Sequence, residues 1–304
     1  MEVLLVDVTG KIKFIFRGST LKSKDFHGGA VMDTLVSKVI AEIEAQNKNF
    51  PVRGMPSGFQ NFDAVTRGFQ RGHLYVLAGQ PNFHKTSFLI NLTFNMGMFF
   101  HYPVKFFSLS DSEEDLLKRL LFTLTDCNSK LFPFLKLDVG EYARIIRAGE
   151  RFKKEKNIQF VCNKNLGIEE IEEHCQAING KGIAFLDYLE MLSPENFGKN
   201  LKLLKNIATK CRIPIIAVHE IKSEEYFDKT ALLRNYVDSI FLLKEITTDI
   251  FENEEMREVL EIEFFKPYGC KVNLFINEYS CRMYNSLEEI MEDSSFGNNT
   301  NTTC

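Results

Sequence analysis

At 304 residues, 44% hydrophobic and 26% charged, the chain has room for one large α/β domain with a short appendage, which excludes a second full domain. Its formal net charge of -4 removes the domain-wide basic surface of a constitutive nucleic-acid binder, so any DNA contact has to be local. The cysteines at 127, 162, 175, 211, 270, 281 and 304 form no CxxC pair and no metal-ligand spacing, which predicts reduced thiols rather than a disulfide framework.

In chain order, Val3 to Asp7 and Lys11 to Phe16 are short apolar runs that predict a hairpin with Gly10 in its turn. This opening is neither a secretory signal nor a span, and no later stretch reaches the length a bilayer requires, so a soluble, cytoplasmic protein with no membrane partner is expected. Val31, Leu35, Val39, Ile40 and Ile43 are spaced for an amphipathic helix over Val31 to Glu44 of about four turns. Strand-like runs then alternate with helical patterns: Leu74–Ala78, a helix from Lys85, Val104–Leu109, a helix from Ser112, Ile158–Val161, and a helix from Ile168. Ile183–Asp187, a helix through Leu201–Ala208, Ile213–Val218, and strands in Ser239–Leu243, Val259–Phe265 and Val272–Ile276 complete the series. Such alternation predicts an α/β fold, a mostly parallel sheet with helices on both faces, and the last strands predict an antiparallel C-terminal extension. Residues 286–304, acidic and then rich in Asn, Ser and Thr, are expected to be a disordered tail. The expected organisation is therefore a hairpin and linker over 1–29, a helix over 30–50, a main domain over 51–285 and the tail. Phe, at 28 residues against no Trp, reads as a habit of composition rather than of chemistry.

The segment from Leu74 to Ser87 runs strand, loop, helix, the setting a phosphate-binding loop demands. Its spacing is Gly79, then Gln80, Pro81, Asn82 and Phe83, then His84, Lys85, Thr86 and Ser87. In this pattern Lys85 reaches terminal phosphates, Thr86 ligates magnesium, and main-chain amides at the helix start cradle the anion. The glycine that normally precedes the lysine is His84, whose side chain occupies space where backbone approaches the phosphate closely. Taken alone, the loop suits a plain strand-to-helix turn as well as a nucleotide site.

The run from Arg53 to Gly72, with Gly54-Met55-Pro56-Ser57-Gly58-Phe59, Phe62-Asp63 and Thr66-Arg67-Gly68-Phe69 ahead of Gly72, resembles the lead-in to the motor domain of DnaB-type replicative helicases. A looser similarity continues through Phe107 to Ser110, Phe185 to Met191, Ile213 to Glu220 and Phe264 to Gly269, covering about residues 30–285. The resemblance implies a RecA-like P-loop NTPase core that takes ATP or another NTP with Mg, assembly with itself, as a ring, or with replication proteins, and weak DNA contact. It places the family's linker helix at 31–44, although that helix could equally fold back on its own domain, and the metal-organising aspartate at Asp187, which ends its strand beside Thr86 as a second Mg ligand.

The resemblance also marks four departures. The water-activating glutamate of the family is Ser110 here, and Asp111, one residue on, would face the other way unless a local bulge redirected it. The family's Lys-x-Arg, offered to the neighbouring subunit, is Lys266-Pro267-Tyr268, so Lys266 remains as a trans contact while the arginine finger, worth about 10³ to 10⁵ in turnover, does not. The strand-end Ser-Gln that senses the terminal phosphate is His219-Glu220, an acid that would repel phosphate if it faced the site. His84 is the fourth. The family's channel loops correspond to Ser193 to Asn200 and Lys222 to Lys229, neither of which clusters positive charge, and Lys199, Lys202, Lys205 and Lys210 suit a solvated helix face. Together these predict a nucleotide-binding, DnaB-like protein of DNA replication with impaired or lost hydrolysis and no assigned catalytic residue. The alternatives are an active DnaB-type helicase and a RecA-like ATPase that loads or regulates another replication machine.

Overall fold

The computed structural model describes residues 4–6, 12–14, 37–38, 53–129, 137–192, 194–221, 233–248, 257–266, 269–277 and 279–286. The chain divides into two units, Met1–Pro51 and Val52–Cys304. In the first, β1 (Leu4–Val6) and β2 (Ile12–Phe14) pair antiparallel with Leu4 opposite Phe14. Gly10 lies outside the described residues, as does the helix expected over 31–44 except for Ser37 and Lys38, which are helical.

The second unit opens on a structured lead-in whose residues explain one another. The Asp63 carboxylate, on α1 (Gln60–Thr66), accepts from the backbone N–H of Ser57 at 2.9 Å and of Gly58 at 3.3 Å. Burial raises its pKa against the lowering effect of those hydrogen bonds. Gly58 sits at φ 87°, where a Cβ would also strike the Asn95 side chain, so the turn admits only glycine. The lead-in thereby delivers Phe59, Phe62 and Phe69 to the core, and the Phe62 ring touches Phe69, Phe88, Phe241 and Phe264. Part of the phenylalanine excess is thus one aromatic cluster, a packing role rather than a compositional habit.

The remaining strands form one nine-stranded sheet. Its parallel part comprises β3 (Leu74–Gly79), β4 (Val104–Ser108), β5 (Ile158–Cys162), β6 (Ile183–Asp187), β7 (Ile215–Glu220) and β8 (Ser239–Thr248). β9 (Arg257–Lys266), β10 (Lys271–Ile276) and β11 (Met283–Tyr284) extend it antiparallel. Across the sheet the order is β11-β10-β9-β8-β3-β7-β6-β4-β5. Alternate strand residues enter opposite cores, as a two-residue period requires. Tyr75, Leu77, Phe106, Phe185 and Val218 pack with α1, α2 (Lys85–Thr93, continued as a π-helix over Phe94–Phe99) and α3 (Glu113–Thr125). Leu74, Val76, Phe107, Leu186 and Ala217 pack with α5 (Ile168–Ile178) and α6 (Phe197–Cys211). The expected α/β sandwich with an antiparallel extension is therefore the observed fold.

Three elements were not expected. α1 and β11 are short, and α4 (Val139–Phe152) is amphipathic and opens on a reciprocal capping box of Asp138 and Glu141. Of the segment Ser193 to Asn200, expected as a channel loop, Ser193 lies outside the described residues, Pro194–Asn196 form a 3-10 turn and the rest is the first turn of α6, with Asn200 Nδ2 donating to Leu192 O at 3.0 Å. The second expected loop, 222–229, lies outside the described residues, as do 287–304 of the tail. The cysteines among the described residues are free thiols. Among those residues, no helix is long and apolar enough to cross a membrane.

Candidate functional site

All six residues of β3 are buried, which makes it the central strand and fixes where its C-terminal end emerges. Gly79 is flanked by Glu220 of β7 and Leu243 of β8, and a Cβ there would stand 3.3 Å from Leu243 O. The chain then loops through exposed Gln80, Pro81 and Asn82 before α2 starts at Lys85. Asn82 at φ 65° and His84 at φ 47° both adopt left-handed backbone, so His84 occupies a conformation that favours the missing glycine. The first amides of a helix have no acceptor one turn back, so the start of α2 suits an anion.

Lys85 is buried, its Nζ donating to Gln80 O, 3.8 Å from Glu220 Oε2 and 5.9 Å from the centre of the Tyr188 ring. Burial lowers its pKa, opposed by the charges of Glu220, Glu190 and Asp187. Thr86 Oγ1 donates to Asp187 Oδ2 at 2.9 Å, while the second carboxylate oxygen of Asp187 is buried with no hydrogen-bond partner. Burial pushes the Asp187 carboxyl up to about 7, against the Thr86 hydrogen bond. The strand-end aspartate and the loop threonine, 101 positions apart in sequence, thus share one point.

A cavity of about 300 Å³ opens in front of these groups, lined by Asn82 to Ser87, Asp111, Arg119, Tyr188 and Cys281. Ser110 is exposed and is not among its lining residues, whereas Asp111 is, contrary to the facing expected from strand alternation. The cause is the turn after β4: Ser108 Oγ accepts from Ser110 N at 3.4 Å and Asp111 N at 3.0 Å, so strand geometry has ended before position 111. Arg119 Nη2 stands 3.5 Å from Asp111 Oδ2. Cys281 arrives on the β10–β11 turn, which Asn91 of α2 clamps by donating to Cys281 O at 2.8 Å and accepting from Met283 N at 2.9 Å. Burial raises the Cys281 thiol, but bonding to His84 and Ser87 and the charges of His84 and Arg119 outweigh it and leave the pKa lowered.

Glu220 does face the loop lysine. Its backbone N–H donates to Glu190 Oε1 at 2.7 Å, and Glu190 Oε2 lies 3.0 Å from His219 Nδ1. His219 itself is buried beside the Phe197 ring, 4.9 Å between centroids, and is not among the residues lining the cavity. Lys266 ends β9, but its side chain and Pro267-Tyr268 lie outside the described residues, so no contact is assigned to it. Arg119 and Cys281 carried no local signal in the sequence, since a helix interior and a distant hairpin turn supply them. Tyr188 follows Asp187 directly and was within the run already singled out.

The arrangement offers a helix N-terminus, a lysine and a buried hydroxyl–carboxylate pair, the groups that a phosphate chain with a divalent cation requires. Residues 54–253 match the family described as DnaB-like helicase C terminal domain. A replicative DNA helicase DnaB of Nostoc sp. is 28% identical over 202 residues, covering 63% of this chain and 23% of that protein. One from Buchnera aphidicola subsp. Acyrthosiphon pisum is 25% identical over 272 residues, covering 82% of this chain and 59% of that protein. The chain therefore spans less than two thirds of either relative. Among solved structures, an isolated ATPase domain superposes with TM-score 0.69 at 20% identity over 84% of this chain and 98% of that one. A DnaB-like replicative helicase described with its primase interactions superposes with TM-score 0.68 at 21% identity, covering 84% of this chain and 66% of that one. With the family match extending over more than half of its length, the chain belongs to the DnaB-like helicase C-terminal domain family.

Proposed function

We propose that this chain is a nucleotide-binding, DnaB-like component of DNA replication whose ATP hydrolysis is impaired. The single observation that carries the proposal is Glu220 Oε2 at 3.8 Å from Lys85 Nζ, an acid set on the cation that should receive the terminal phosphate. Ser110, exposed and outside the cavity, supports it, because a hydroxyl at that position supplies no base at neutral pH. The loop Gly79 to Ser87 would bind the phosphates. Asp187 and Thr86 fit a magnesium ion, since the orphaned Asp187 oxygen is a buried acceptor that a cation would satisfy. Such an ion, when bound, neutralises phosphate charge. Assembly with further copies of the chain and Lys266 reaching toward a neighbour's nucleotide, both implied by the family resemblance, are parts of the same proposal, as is contact with replication proteins such as primase, drawn from a similar structure described with primase.

A second reading has one observation in its favour. Asp111 lines the cavity and is paired with Arg119, so a carboxylate stands near the site although it is not at the family's position. Slow hydrolysis oriented by Asp111 would follow.

Purified protein separates the two. The expected result is magnesium-dependent nucleotide binding by calorimetry that Lys85→Ala removes, with no DNA-stimulated turnover in a steady-state phosphate-release assay. Robust turnover abolished by Lys85→Ala would overturn the impaired-hydrolysis proposal, whereas slow turnover that Asp111→Asn removes would establish the second reading. Binding unaffected by Lys85→Ala would sink both.

A further inference from the structure

The lysine of a phosphate loop reaches the second and third phosphates of a bound nucleotide. Here it is already engaged. Lys85 Nζ is held by the Gln80 carbonyl, by Glu220 at 3.8 Å and under the Tyr188 ring at 5.9 Å, and its side chain is 1% exposed. Glu220 is not a wandering surface acid, because it closes β7 directly across from Gly79, where the loop begins. Its backbone is tied to Glu190 at 2.7 Å, and Glu190 is tied in turn to buried His219 at 3.0 Å. The backbone of Glu220 is therefore fixed on Glu190, and the charges of both carboxylates act on the lysine.

We infer that Glu220, supported by Glu190, makes this site selective for a nucleoside diphosphate over the triphosphate. The inference rests on the nucleotide-binding proposal above. A third phosphate adds negative charge and has to share Lys85 with a carboxylate whose backbone is fixed at the end of β7. Like charges a few ångströms apart in a partly dry site oppose one another far more than in open water. Diphosphate binding draws on the loop amides and on Lys85 with less charge to place, so it meets less of this opposition. The selectivity is the opposite of what a motor needs, and it gives the acid at position 220 a consequence beyond slowed chemistry: the product-like ligand becomes the preferred occupant.

The test is competitive calorimetric titration of the full chain with ADP, ATP and a β,γ-imido analogue of ATP in the presence of magnesium, for the wild type, Glu220→Gln and Lys85→Ala. Wild type is expected to bind ADP at least about tenfold more tightly than either triphosphate, a difference of about 1.4 kcal/mol. Glu220→Gln, which keeps the shape and removes the charge, should reduce that ratio to about threefold or reverse it. Equal or tighter triphosphate binding by the wild type overturns the inference and leaves the nucleotide-binding proposal standing. Failure of the wild type to bind any of the three overturns both. A diphosphate preference that survives in Glu220→Gln removes Glu220 as its cause. Should that variant fail to fold by circular dichroism, Glu220→Ala replaces it, and the wild-type ratio alone still decides the main claim.

Discussion

His84 holds the position before Lys85 at φ 47°, a left-handed backbone that glycine adopts freely and an L-residue adopts at a cost of about 1 kcal/mol. His84→Gly relieves that strain, but it also loosens the unfolded chain by about 0.4–1 kcal/mol and forfeits the contact with Cys281. These contributions nearly cancel, so the variant should unfold within about 1 kcal/mol of the wild type. Nucleotide affinity should move instead, because the imidazole leaves the cavity lining and the backbone can approach the phosphate. Several-fold tighter ADP binding by calorimetry is the expected outcome, and an unchanged affinity would mean the side chain does not obstruct the site. The residues legible in the sequence were those fixed by short-range spacing: Gly79, Lys85 and Thr86 around one loop, and Asp187 at the end of an apolar run. Those that were not legible depend on a turn or on distant chain. Asp111 enters because Ser108 Oγ draws two successive amides into a turn, and Cys281 enters on a hairpin that Asn91 clamps.

Elements in the sheet pack so closely at one point that side-chain size decides whether they can form. A Cβ on Gly182, just ahead of β6, would lie 1.9 Å from Pro103 O and 2.7 Å from Pro103 C, both backbone atoms that have no rotamer to change. Ile183 N already donates to that same oxygen at 2.9 Å, so separating the strands would also break the first bond of the β4–β6 ladder. Gly182→Ala should therefore cost about 1–3 kcal/mol, the usual penalty for overpacking. Gly149, inside α4, has nothing within 4 Å of its would-be Cβ. There the same substitution should stabilise by about 0.5–1 kcal/mol through helix propensity. Thermal unfolding reads both, and shifts of the same sign in the two variants would contradict the packing described. The central strands β3, β6 and β7 were readable because they bury nearly every residue and so stand out as apolar runs. α4 carried two signals that went unread, apolar Val139, Tyr142 and Ile146 at helical spacing and the Asp138–Glu141 box, and in the fold those three side chains are exposed.

For the molecule as a whole, charge sets how firmly it can hold a nucleic acid. The net charge is -4, and two of the four lysines along 199–210 are already matched by acids: Lys205 with Asp238 at 2.7 Å and Lys210 with Glu172 at 2.5 Å. The segment 222–229 carries Lys222 and Lys229 against Glu224, Glu225 and Asp228. A grip on DNA that comes from phosphate neutralisation weakens with salt in proportion to the number of phosphates neutralised, and these two segments offer few uncompensated cations to do it. Fluorescence anisotropy with a single-stranded oligonucleotide should accordingly show binding no tighter than about 10⁻⁵ M near physiological salt, within the ordinary non-specific range. The logarithmic salt slope should be small, about -1 to -2, since each phosphate contact on a single strand contributes about -0.7. A steep slope would mean that copies of the chain combine their cations on one strand. Repeating the titration across protein concentrations would expose this, because a slope that steepens with concentration belongs to an assembly of copies and a constant one to the single chain.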